Sequence, residues 1–231
     1  MDPVLRRSAA HVLVADVGAP AADDAVAHHL VRVLRLRDGA EVTVTDGAGR
    51  WRPCRLGAGG VLEATGPAVA VPAPDPVLTL AVAPPKGDRL DWLVAKATEV
   101  GVDRIVLVDA IRSVVKLRAD RTPRQLERLR RIALEAAMQS RRVWLPEISG
   151  PVPAAELLAA PHIVVAEPGG RRVGPGDTTV LVGPEGGWAP EELAGVADDR
   201  RVSLAGNVLR VETAAVAAAL ALVWQREGER R

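Results

Sequence analysis

The 231-residue sequence contains no phenylalanine and no tyrosine, a single cysteine (Cys54), and three lysines against 27 arginines. One cysteine excludes an internal disulfide framework and a cysteine-based zinc site, and it fits a reducing compartment. Without Phe and Tyr, any stacking on a nucleobase must use Trp, His or Arg planes. The longest apolar run, residues 213–224, falls short of the roughly 20 residues a membrane span needs. The first ten residues carry charge but no apolar core of signal-peptide length. The expectation is a cytoplasmic protein. The common chemical signatures are missing as well. No GxGxxG links a strand to a helix, and neither GxxxxGK[ST] nor GxSxG occurs. His28 and His29 are adjacent and cannot both face one ion from a helix, so no metal site is expected. The net charge of +1 excludes a uniformly basic nucleic-acid binder, and disorder is excluded by a hydrophobic fraction of 48%. What is present suffices for one large domain or two small ones with a proper core.

A proline-rich stretch, residues 67–76, divides two patterns of different period. Before it, short β signals dominate: 11–17, the alternating EVTVT of 41–45, 51–56 and 61–65. Asp46-Gly47 marks a hairpin-type turn. Gly57-Ala58-Gly59-Gly60 reads as a second turn rather than a phosphate loop. One helix interrupts the strands; Asp23 or Asp24 can cap it, and Val26, Leu30, Val33 and Leu34 recur at helical spacing. Several strands and one helix in about 70 residues suggest a small barrel. After the linker, apolar strands at 77–82, 104–108, 162–166, 179–182 and 201–204 alternate with helices. The helices fall near 89–100, 122–138, 154–158, 190–196 and 211–225. Thr122 is a candidate N-cap with Pro123 in the first helical position. This alternation predicts a parallel α/β sheet.

Ligands of open α/β sheets lie beyond the carboxyl ends of the strands. After strand 179–182 comes Gly183-Pro184-Glu185-Gly186-Gly187-Trp188, either a tight turn or a loop a ligand can approach closely. After strand 201–204 comes Ala205-Gly206-Asn207-Val208-Leu209-Arg210, leading into a helix that begins Val211-Glu212-Thr213. That helix is apolar on nearly every side and must be buried. Arg210 and Glu212 at its start either pair with each other or face a ligand. Charge is unevenly spread: residues 112–142 hold ten basic and three acidic residues, a local excess of +7. On the long helix alone, a solvated arginine face explains this. A second basic group, Arg32, Arg35 and Arg37, makes RNA more plausible than either group does alone.

These residues resemble a known family. Leu181-Val182-Gly183-Pro184-Glu185-Gly186-Gly187 with Leu209-Arg210-Val211-Glu212-Thr213-Ala214 is similar to the paired C-terminal signature of the RsmE family. These are SPOUT-class methyltransferases that methylate N3 of a uridine in 16S ribosomal RNA. His28 to Arg35, Asp46-Gly47, Lys86-Gly87-Asp88-Arg89, Lys96 to Gly101, Arg112-Ser113, Gln139-Ser140 and Pro146-Glu147 follow the family pattern in order. Ala205-Gly206-Asn207 stand where the family usually has Gly-Pro and a basic residue, and Arg141 stands where glycine is common. The resemblance implies a PUA-like β-barrel RNA-binding domain (1–70), the linker (71–76) and a trefoil-knotted α/β SPOUT domain (77–231). It implies S-adenosylmethionine as cofactor, held by Leu181, Gly183, Pro184, Glu185, Gly187, Leu204, Gly206, Leu209 and Thr213. Arg210 and Glu212 are the catalytic candidates, with Glu212 orienting Arg210 or accepting the N3 proton. RNA contacts are expected from Arg32, Arg35, Lys86, Arg112, Lys116, Arg141 and Arg142. The partners implied are 16S ribosomal RNA in the small ribosomal subunit and a second copy of the chain, with neither metal nor membrane. Rival readings are a SPOUT ribose 2′-O-methyltransferase and a non-catalytic RNA-binding assembly factor.

Overall fold

Residues 2–229 are described by the computed structural model, the side chain of Glu229 excepted. Met1, Arg230 and Arg231, which close the two expected domains, lie outside the described residues. The chain forms two compact units. The first comprises Met1–Ala73 and Leu134–Leu145, and the second Pro74–Ala133 and Pro146–Arg231.

The first unit opens with α1 (Pro3–Arg7), β1 (Ala10–Leu13) and α2 (Asp24–His28) and continues with β2 (Glu41–Thr45), β3 (Arg50–Leu56), β4 (Leu62–Ala64) and β5 (Val69–Ala70). Its sheet runs β1-β2-β3-β4, with β5 also paired to β3; β1 and β2 are parallel and the other pairs antiparallel. Asp46 closes the β2–β3 turn. Its Oδ1 accepts from the N–H groups of Ala48 (2.8 Å) and Arg50 (3.0 Å). Gly47 takes φ +70°, and a Cβ there would meet Leu145 at 2.7 Å. Gly57 to Gly60 joins β3 to β4 as expected. Alternation predicts Thr43 and Thr45 on a wet face, yet both are buried. The second face of the sheet is covered by Leu5, Trp51, Val143 and Trp144.

Asp23 caps α2, accepting from Val26 N–H at 2.7 Å. The helix then passes into a π turn, His29–Val33, in which Leu34 N–H donates to His29 O at 2.9 Å. The wider turn breaks the expected apolar stripe. Leu30 is fully buried, but Val33 and Leu34 are exposed, because a 3.6-residue period cannot hold across an i→i+5 turn.

The second unit is a six-stranded parallel sheet, ordered β11-β9-β10-β6-β7-β8. In chain order its elements are β6 (Thr79–Val82), α3 (Arg89–Val100), β7 (Arg104–Asp109), α4 (Thr122–Ser140), β8 (Glu147–Pro153), α5 (Ala154–Ala159), β9 (Val164–Arg171), β10 (Thr179–Val182), α6 (Pro190–Leu193), β11 (Arg201–Val202) and α7 (Val211–Glu229). Fully buried strands such as β10 fit a sheet covered on both faces: Val180 and Val182 pack into one core cluster and Leu181 into another.

Three expectations need correction. β8 has no strand-like signal, because Gly150 and Pro151 interrupt it; an edge position tolerates proline, and only Ile148 is fully buried. Thr122 does not cap α4; its hydroxyl donates back to Arg118 O at 2.9 Å. α7 is buried on one face only. Val211, Ala215, Ala218, Ala219 and Leu222 enter the core, whereas Trp224 is 67% exposed.

Candidate functional site

β9, β10 and β11 run parallel with β9 between the other two, so the segments that leave β10 and β11 meet beside β9. There they enclose a cavity of about 400 Å³. Its wall is built from Ala166 to Pro168 within β9, from Val182 at the end of β10 and the loop residues Gly183 to Glu185, Gly187 and Trp188 after it, and from the segment between β11 and α7. It is largely apolar with a few polar groups, the usual character and size of a small-molecule site.

Local chemistry explains the shape of the loop after β10. Gly187 N–H donates to Pro184 O at 2.9 Å, closing a tight turn with Gly187 at φ +67°. Trp188 folds back over the start of the loop and its Nε1 donates to Ala166 O at 3.3 Å. A Cβ on Gly183 would lie 2.8 Å from the indole, so only glycine fits beneath it. Glu185 Oε1 accepts from Lys86 N–H at 3.3 Å, and Arg112 Nη1 donates to Gly186 O at 3.3 Å. The loop is thereby held from the segments that follow β6 and β7.

Of the expected cofactor residues, Gly183, Pro184, Glu185, Gly187, Leu204 and Leu209 line the cavity, and so does Arg210. Leu181, Gly206 and Thr213 do not. Leu181 is fully buried on the opposite side of β10, as side chains alternate along a strand, while Gly206 and Thr213 face solvent. Glu212 also stands off the cavity wall. Its Oε1 lies 3.7 Å from Nε of Arg89 at the start of α3, and its Oε2 is buried without a hydrogen-bond partner. The expected pairing of Glu212 with Arg210 is therefore replaced by a pairing with Arg89. Arg210 is exposed and has no ion-pair partner among the described residues.

The expected RNA contacts divide into two groups. Arg32 and Arg35 are exposed on the first unit, and Lys86 and Arg112 on the second. Lys116 is tied to Asp109 at 2.6 Å and to Ala110 O. Arg141 turns inward: Nη1 donates to Met138 O (2.9 Å) and Gln139 O (3.2 Å), and Nη2 to Ser8 O (3.0 Å). Arg142 Nε donates to Trp144 O at 3.1 Å. These two hold the first unit together rather than standing free. Sequence reasoning missed Glu167 and Pro168, which reach the cavity because β9 extends past the expected end at 166; inspecting the residues beyond every strand end finds them. Among the described residues, no cluster of three or more His, Cys, Asp or Glu could hold a metal, and no helix is long and apolar enough to cross a membrane.

Residues 72–223 match the RNA methyltransferase domain and residues 22–60 the RNA methyltransferase PUA domain. Ribosomal RNA small subunit methyltransferase E of Mycobacterium tuberculosis is 33% identical over 224 residues, covering 88% of this chain and 86% of that protein. The Bacillus subtilis protein of the same name is 30% identical over 227 residues, covering 87% and 88%. Among solved structures, a probable rRNA-methyltransferase from Porphyromonas gingivalis superimposes with a TM-score of 0.77 at 27% identity, over 96% of this chain and 100% of that one. Ribosomal RNA small subunit methyltransferase E from Neisseria gonorrhoeae, bound to S-adenosyl methionine, gives 0.74 at 27% identity, over 92% and 96%. With a cavity at the strand ends, a PUA domain ahead of it and relatives matched along most of their length, this chain belongs to the ribosomal RNA small subunit methyltransferase E family of RNA methyltransferases.

Proposed function

We propose that the protein methylates N3 of one uridine in 16S ribosomal RNA of the small subunit, uridine 1498 in the family's RNA numbering, using S-adenosylmethionine. The observation that carries the reading is the convergence of the two glycine-bearing segments, 183–187 and 204–210, on one cavity. The fit to the cofactor is good: about 400 Å³ suits a nucleoside-sized ligand, and the wall is mostly apolar and backbone. Gly183, Pro184, Glu185, Gly187, Leu204 and Leu209 would hold it. S-adenosylmethionine supplies a methyl group carried on a cationic sulfur.

Uridine N3 is a poor nucleophile until it loses its proton, so the site must stabilise a uracil anion. Arg210, on the cavity wall and without an ion-pair partner among the described residues, holds negative charge on O2 or O4. Glu212, paired with Arg89, fixes the start of α7 from which Arg210 projects. The target base must leave its stack, at a cost of a few kcal/mol. The exposed Arg32 and Arg35 of the barrel and Lys86 and Arg112 beside the loop neutralise phosphates. We place the protein in the cytoplasm as a homodimer with the family's trefoil knot. In support of the dimer, Trp224 stands exposed on α7, on the same side as the half-buried Ala217 and Leu220.

The test is methyl transfer to small subunits from a strain lacking the enzyme, followed by nucleoside analysis. The expected product is 3-methyluridine, and 2′-O-methyl nucleoside would defeat the assignment. Arg210→Ala should lower kcat by roughly 10²–10³ while cofactor affinity changes little. An unchanged rate would remove Arg210 from the chemistry.

A further inference from the structure

Glu167 belongs to β9, whose register against β10 places Leu181 opposite Val165. Glu167 follows two residues later and lines the same cavity as Gly183, where the glycine loop begins. The backbone just before it is pinned, because Ala166 O accepts from the Trp188 indole. Glu167 is half-buried on the cavity wall. Two other polar side chains there are occupied: Glu185 accepts from Lys86 N–H, and Ser203 Oγ donates to Ala205 O at 3.1 Å. The Glu167 carboxylate has no hydrogen-bond or ion-pair partner among the described residues.

We infer that Glu167 grips the ribose of the methyl donor, accepting hydrogen bonds from its 2′- and 3′-hydroxyl groups. This rests on the methyl-donor reading of the cavity. An ionised carboxylate only accepts, and its two oxygens match the two O–H donors of a vicinal diol. The setting is close to the one in which parallel α/β sheets bind nucleosides: a glycine loop after one strand and an acid on the strand beside it. The sulfonium is the wrong target for this carboxylate. Its positive charge disappears in the transfer, so a carboxylate against it would stabilise the ground state more than the transition state.

The experiment is calorimetric titration of the full chain and of Glu167→Gln with two ligands. One is S-adenosylhomocysteine. The other is 5′-deoxy-5′-methylthioadenosine, which keeps the ribose but lacks the amino-acid end. Both should bind Glu167→Gln roughly tenfold or more weakly, the worth of a charge-assisted hydrogen bond. The 2′-deoxy form of the second ligand should lose a similar factor on the unaltered chain, a measurement that needs no variant to fold. Equal affinity of the ribo and deoxy ligands, or of the two proteins, overturns the assignment. Weakening confined to S-adenosylhomocysteine also overturns it, since the carboxylate would then hold the ammonium group. If the unaltered chain binds neither ligand, the methyl-donor reading fails and takes this one with it.

Discussion

Arg141 adopts a left-handed conformation, φ +62°, immediately after α4. Arg142 N–H reaches back to Ala137 O and Arg141 N–H to Met138 O, the bonds of a Schellman motif in which glycine is the usual residue. The guanidinium offsets the strain by donating to three carbonyls. Arg141→Ala keeps the strain and loses the donors, and should destabilise the fold by about 1–3 kcal/mol. Arg141→Gly should recover about 1 kcal/mol of that. Denaturant midpoints of the three proteins check the order. His11 is the second such residue. Nε2 donates to Arg142 O (3.1 Å), and Nδ1 lies 2.8 Å from the Thr43 hydroxyl oxygen. Burial pushes its pKa down from 6.5 to about 4. The unfolded chain therefore binds a proton that the folded chain refuses between these values. Stability is full above pH 6.5 and falls as pH drops toward 4, by at most something on the order of 3 kcal/mol. In denaturation series from about pH 7 to about 4.5, His11→Gln should show a flatter pH dependence than the unaltered protein; parallel curves would refute this role.

Among elements, the arginine-bearing segments differ in what their charges face. Arg124, Arg128 and Arg131 share one side of α4, but Arg128 is paired to Asp91 on α3. Arg130 of the same helix donates to Ile148 O at 3.0 Å. This is the pattern of a solvated helix face that also braces the sheet. Arg32 and Arg35 stand exposed with no ion-pair partner among the described residues, on the π turn and just after it. Each phosphate contact contributes close to one unit to the salt dependence of RNA affinity. Replacing Arg32 and Arg35 by Gln should reduce the slope of log K against log salt by about 2, and replacing Arg124 and Arg131 by less than about 1. Binding to small subunits across a salt series separates the two surfaces; equal losses would make α4 part of the RNA face.

At the scale of the whole molecule, the first unit is assembled from two stretches of chain. The expected second domain, 77–231, contains Leu134–Leu145, which pack with the first unit. Val143 and Trp144 pack with Trp51 and Leu5, and Met138 packs against the core of the first unit. A fragment of residues 1–76 lacks these groups and should not melt cooperatively, whereas the full chain should. A sharp thermal transition of the fragment by circular dichroism would contradict the two-stretch construction.

Hydrophobic period alone determines most of the elements. EVTVT at Glu41–Thr45, TVLV at Thr179–Val182 and the helix at Arg89–Val100 stand where the sequence places them, because each buries a continuous apolar face against a neighbour. The glycine loop after Val182 is legible for the same reason: a parallel strand must end, and ligands gather where it does. Tertiary structure decided what depends on partners distant in sequence. Nothing near Glu212 announces Arg89, nothing near Arg141 announces Ser8, and β8 becomes a strand only because β7 offers it an edge. Strand order decided that β9 lies beside β10, and with it that Glu167 shares a wall with the glycine loop. A local sequence specifies its own backbone preference and which of its faces is apolar. The identity of the group across the gap is set by chain crossings that no local pattern encodes.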